Sequence, residues 1–194
     1  APLHLVLGDD EFLTERATSC VVAAVRASTP AGEDPPVVSR LGGAEVTAAQ
    51  LFELLSPSLF GEARIVVITG AAGLGKDAVA AVLGAAGDLP HQTVLIVQHT
   101  GGGRAKSLVA ELRKAGAEEH QAGRISRHTE VVGFVRSEFR SLNVRVAPEA
   151  CEVLVEAVGT DLRALAAACD QLVSDTGGKV DVEAVRQYHS GVVG

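Results

Sequence analysis

Four consecutive β-branched residues, Ile65-Val66-Val67-Ile68, lie within the segment 63–69 (ARIVVIT). A strand turns successive side chains to opposite faces, so a run without polar alternation must be covered on both sides. Related runs recur at 3–7 (LHLVL), 37–41 (VVSRL) and 93–99 (TVLIVQH), with a short fifth candidate at 117–121. Between them lie stretches with helical spacing. Apolar strands alternating with helices imply an α/β fold with a five-stranded, mostly parallel sheet and helices on both faces.

The intervening helices carry start and stop signals. Asp9 reads as an N-cap, with Asp10 and Glu11 in the first turn and Phe12, Ala17 and Val21 inward as far as about Arg26. Thr47 caps a helix through Leu51, Leu54 and Leu55, which Pro57 ends. Further helices are expected over 77–86 and over 104–115, the latter stopped by Gly116.

After Ser126 the pattern is helical throughout. Thr129 is the expected cap of a helix carrying Val132, Val135 and Phe139, and Pro148 opens the next, which Gly159 breaks. Thr160 or Asp161 caps a third helix through Leu165, Cys169 and Leu172, and Asp181 starts a last short one. The expected organisation is an α/β domain over 1–126 and a small all-α domain over 127–194.

A net charge of −7 argues against binding nucleic acid through bulk charge. No apolar run approaches the roughly 20 residues of a membrane helix. No basic start with a cleavable apolar stretch precedes the first strand, so no signal peptide is expected. Cys20, Cys151 and Cys169 have no framework spacing and read as small core residues of a reduced, cytoplasmic protein.

Gly70, Gly75 and Lys76 approach the phosphate-binding pattern G-x-x-x-x-G-K-[ST] between a strand and a helix. The match fails in three ways. Asp77 stands where a hydroxyl should hold Mg²⁺, and like charges about 4 Å apart repel by roughly 1 kcal/mol in water and roughly 4 kcal/mol near a protein surface. The strand that should end in acids ends in Gln98-His99. The loop also follows the third strand, not the first; after the first strand stand Gly8-Asp9-Asp10-Glu11, acids where a phosphate needs donors. The loop reads as degenerate, a turn with Lys76 solvated, and no cofactor is expected. The alternative is a P-loop nucleotide-binding enzyme, a small kinase or ATPase, using Gly70 to Lys76.

Other chemistry is thin. The histidines at 4, 91, 99, 120, 128 and 189 have no metal-binding spacing, so structural roles and no metal site are expected. Asp9, Asp10 and Glu11 are better explained by capping. The GGGRAK segment at 101–106 is read as a bare turn, although its N–H groups could hold an anion. A DNA contact through Arg104, Lys106, Arg113 and Lys114 is a weaker possibility. Leu59 and Phe60 stand apart: an adjacent apolar pair just past a Pro-interrupted helix serves equally as a satellite cluster under the sheet edge or as a wedge for a partner's pocket.

The order of GDDEFL after the first strand, SPSLF before the third, the GGGRAKSL turn and the segment 134–188 resembles the delta subunits of bacterial DNA polymerase III clamp loaders. The Ala-, Val- and Gly-rich composition fits a high-GC, actinobacterial version. The resemblance implies an AAA+-like domain without a working nucleotide site, followed by a helical lid. It implies a noncatalytic role in DNA replication: Ser58, Leu59 and Phe60 contact the sliding β-clamp, and the gamma/tau and delta prime subunits are the other partners. DNA is met only within the assembled polymerase complex, at the nucleoid, and no membrane is involved. The family's third, helical collar domain has no counterpart up to Gly194, so this stretch is expected to bind clamp without assembling a full loader.

Overall fold

The computed structural model describes residues 1–192. The strands are β1 (Leu3–Leu7), β2 (Val37–Gly42), β3 (Arg64–Thr69), β4 (Thr93–His99) and β5 (Glu118–Gln121). They form one sheet in the order β2-β3-β4-β1-β5, and every neighbouring pair is parallel. The IVVI run of β3 lies inside the sheet, and Ile65, Val66, Val67 and Ile68 are fully buried.

Both faces of the sheet are covered. On one face α2 (Ala48–Leu55), α3 (Lys76–Ala86) and α4 (Leu108–Lys114) bring Leu51, Leu55, Val82 and Leu112 against Leu5, Val66, Ile68 and Leu95. On the other face α1 (Glu11–Ala27) brings Val21, with Leu13, Ala17 and Val25, against Val6, Ile65, Val67 and Ile96. The aliphatic alternation of each buried strand thus supplies two separate cores.

Several local details differ from expectation. Asp10, not Asp9, caps α1: its Oδ1 accepts from the Leu13 N–H at 2.8 Å. Asp9 is diverted because its own carboxylate accepts from the Arg124 N–H at 3.2 Å. Phe12 is only half-buried, with the Arg16 guanidinium carbon 5.5 Å from its ring centroid. The helix expected from Arg104 begins at Leu108, because Ala105 is held in a turn by its N–H bond to the Ala72 carbonyl at 3.0 Å. Thr47 caps α2 as expected, in a reciprocal capping box with Gln50.

The chain divides into two compact units, Ala1–Arg124 and Ile125–Gly194. The second holds α5 (His128–Ser141), α6 (Pro148–Val158), α7 (Leu162–Thr176) and α8 (Val182–Val192). Its core includes Val135, Phe139, Leu154, Leu165 and Leu172. Arg127, not Thr129, is the N-cap of α5, and Glu130 reaches back to the Arg127 N–H at 3.4 Å. Pro148 opens α6, Asp161 caps α7, and Asp181 accepts from the Ala184 N–H at the start of α8.

Candidate partner-binding site

Ser58, Leu59, Phe60 and Gly61 form a tight turn between α2 and β3. The Gly61 N–H donates to the Ser58 carbonyl at 3.3 Å, and the Phe60 N–H donates to the Ser58 hydroxyl at 3.3 Å. Gly61 has φ +67°, a left-handed conformation that glycine adopts without the penalty of a Cβ. Leu59 and Phe60 occupy the two central positions and are 97% and 86% exposed.

The segments on either side of this turn are tied into the domain. Leu51 and Leu55 anchor α2 in the core, and the Arg64 guanidinium donates to the Leu54 carbonyl at 3.4 Å, satisfying one orphan acceptor at the helix end. On the β3 side, the Arg64 N–H donates to the Gln92 carbonyl at 3.0 Å. Two large apolar side chains are therefore presented to solvent between two anchored elements. Phe52 on α2, 74% exposed, is a third exposed apolar group that sequence reading did not single out. The signal was present: Leu51, Leu54 and Leu55 define the inward face of α2, and Phe52 falls off it.

The loop resembling a phosphate-binding site is closed on itself. Gly70 is left-handed, a 3-10 turn spans Ala71–Gly73, and Gly75 is the N-cap of α3. Ala71 and Leu74 are buried in the core. The Gly73 and Leu74 N–H groups are committed to the Gly70 and Ala71 carbonyls. Arg104 donates from Nε to the Gly73 carbonyl at 2.8 Å, and the Ala105 N–H takes the Ala72 carbonyl. The two glycine-rich turns thus bind each other. Lys76 and Asp77 are exposed at the start of α3.

A cavity of about 280 Å³ does open at the carboxyl ends of the strands, where ligands of parallel sheets generally bind. Its walls include Asp9, Glu11, Glu15, Thr69, Gln98 and His99, and neither Lys76 nor any arginine lines it. Arg40 holds the Glu15 carboxylate through a bidentate contact at 2.9 and 3.2 Å, which with a bond from Gln98 keeps its carboxyl below the usual range. The β1–α1 loop is itself collapsed: the Asp10 N–H donates to the Ala122 carbonyl at 3.0 Å.

Three of the four cations suggested for a DNA contact, Arg104, Arg113 and Lys114, are engaged by local partners. Arg113 makes a bidentate pair with Glu119, Lys114 pairs with Glu111, and Arg104 is tied to Gly73. A further grouping escaped the sequence: His4 and His120 meet across β1 and β5 at 3.0 Å between ring nitrogens. They lie 116 positions apart, so no local spacing could reveal it.

A parallel sheet in the order β2-β3-β4-β1-β5, followed by a separate helical unit, is an AAA+-like architecture. Among solved structures, the Bacillus subtilis DNA clamp loader delta protein is similar with a TM-score of 0.77 and 18% identity, over 96% of this chain and 57% of that one. The Thermotoga maritima RuvB Holliday junction branch migration motor is similar with a TM-score of 0.50 and 13% identity, over 96% of this chain and 61% of that one. A mutant of the same RuvB gives 0.51 and 14%, over 97% and 62%. The chain therefore spans about three fifths of the length of these relatives, and at such identities the likeness is one of fold. No protein-family model matches the sequence, nor does any curated protein.

Proposed function

We propose that this chain is a noncatalytic subunit of a bacterial DNA polymerase III clamp loader, which binds the sliding β-clamp through Ser58, Leu59 and Phe60 and opens it during replication. The observation that carries the reading is the exposure of Leu59 and Phe60, at 97% and 86%, on a turn anchored at both ends. Exposed apolar side chains held in place mark a partner's pocket more than a folding need. The likeness in fold to a clamp loader delta protein agrees with this.

In this reading residues 1–126 are the clamp-binding domain and 127–194 the lid, working in the cytoplasm at the replisome with gamma/tau and delta prime subunits. DNA is met within that assembly. Burying one Leu and one Phe contributes about 1.5–3 kcal/mol each. A micromolar complex needs about 8 kcal/mol, so contacts around the turn supply the remainder. Opening follows if the turn binds the sprung ring interface more tightly than the closed one, a shift of population without chemistry.

The alternative, a nucleotide-binding enzyme using Gly70 to Lys76, is less well supported. The strand-end cavity is walled by Asp9, Glu11 and Glu15, which would repel a triphosphate. The test is binding of this chain to the cognate clamp, with Leu59→Asp and Phe60→Asp as variants. Either charge is expected to abolish capture, and undiminished capture by both variants refutes the assignment.

A further inference from the structure

β5 is polar along its whole length (EEHQ), which is unusual beside the apolar β1. The parallel register sets His4 opposite Glu118 and Val6 opposite His120. Residues two apart on a strand share a face, so Glu118 and His120 stand on the same side of the sheet as His4. His4 Nδ1 is 3.0 Å from His120 Nε2 and 3.8 Å from a Glu118 carboxylate oxygen. One ligand atom from each of the three lies within 4.8 Å of the other two.

From this placement we propose that His4, Glu118 and His120 form a site for a divalent transition-metal ion of the zinc class. The geometry decides the class. Metal–ligand bonds of about 2.0–2.1 Å at tetrahedral angles place donor atoms about 3.3–3.4 Å apart. The observed 3.0 and 3.8 Å bracket that spacing, so small rotations of Glu118 and His120 close the set. Two imidazoles and a carboxylate favour zinc, nickel or copper over magnesium or calcium, which take all-oxygen shells.

The second nitrogen of His4 supports the same reading. His4 Nε2 lies 2.8 Å from the Ala1 carbonyl oxygen, which can only accept, so Nε2 carries a proton and, in the neutral ring, Nδ1 has its lone pair towards Glu118 and His120. A backbone carbonyl behind a ligating histidine is the usual outer support of such sites. His4 is only 6% exposed and fixed on an internal strand, so this ligand is preorganised, while Glu118 is exposed and free to swing. The three side chains border a cavity of about 820 Å³ that also reaches Cys20, Val25 and His91. With three protein ligands, the fourth coordination position opens on that cavity and is available to water or a small anion.

A simple hydrogen bond between the two histidines is the competing account, and metal titration separates the two. The untagged chain, stripped with chelator, is titrated with ZnCl₂ by calorimetry and with Co²⁺ by visible absorption, with thermal melts recorded in parallel. One ion per chain, the visible bands of tetrahedral Co²⁺ and a zinc-dependent rise in Tm are expected. His120→Gln and Glu118→Gln, both at the sheet edge, should each weaken zinc binding at least 10-fold and abolish the Tm rise while the apo proteins still melt cooperatively. His91→Gln, in the same cavity but outside the cluster, should bind as the parent does. Absence of saturable zinc binding, or affinity within twofold of the parent in both His120→Gln and Glu118→Gln, overturns the proposal.

Discussion

Truncating the exposed turn tests the proposed function quantitatively, because Leu59 and Phe60 contribute almost nothing to the fold they sit on. At 97% and 86% exposure, nearly all of each side chain remains available for burial against a partner. Replacing either with alanine should leave the thermal midpoint almost unchanged, since exposed substitutions away from special features fall within about ±0.5 kcal/mol. Against the clamp the expected losses are about 1.5–3 kcal/mol each. That is about 10- to 150-fold in Kd for a single variant. The double variant should lose about 3–6 kcal/mol if the two act independently, and less if both fill one pocket. The assay is calorimetric or surface-based titration with purified cognate clamp, paired with thermal melts of the same samples. The diagnostic result is a large loss of affinity at constant Tm. A double variant that binds within twofold of the parent refutes the reasoning, and a matching fall in Tm would show the pair to be structural.

Three further outcomes are expected. Gly8→Ala should destabilise by more than about 2 kcal/mol in denaturant titration, because an added Cβ would lie 2.0 Å from the Ala122 carbonyl carbon and 2.2 Å from the Gly123 nitrogen, and this backbone cannot swing aside as a side-chain end could. Glu15 is held below its ordinary value of 4.5 by Arg40 and then by Gln98, so the unfolded chain takes up this proton first. Stability from this group is therefore complete above about pH 5 and declines as pH falls through the depressed folded value. Glu15→Gln should flatten that part of the Tm–pH curve, and an unchanged acid limb would count against the pairing. Lys76→Ala should leave nucleotide titrations indistinguishable from the parent; micromolar ATP affinity lost in this variant would revive the nucleotide-enzyme reading.

What the sequence determined by itself is local in origin. The IVVI run of β3 could only be a strand covered on both faces, and Thr47 could be read as the cap of α2 because a cap and the N–H it serves lie within one helical turn. The substitution of Asp77 in the phosphate-loop pattern was equally legible, and so was the oddity of Leu59 and Phe60. Composition and position alone, however, left that pair balanced between a tucked cluster and a wedge, and only the family resemblance favoured the wedge. The tertiary structure decided that the pair is exposed and not tucked: the turn closed by Gly61 turns both side chains to solvent while Leu51 and Leu55 fill the core beneath.

The other decisions also rested on distant pairings. Asp9 lost the cap of α1 to Asp10 through a bond to Arg124, and α4 started late because Ala105 is tied to Ala72. Placing β1 between β4 and β5 brought His4 to His120 and set the acids of the β1–α1 loop around the strand-end cavity. Propensity and capping act over a few residues and are written in short words of sequence. Strand order and register are set by which apolar faces bury one another across the whole chain, and the chemistry of a site built between strands follows from that alone.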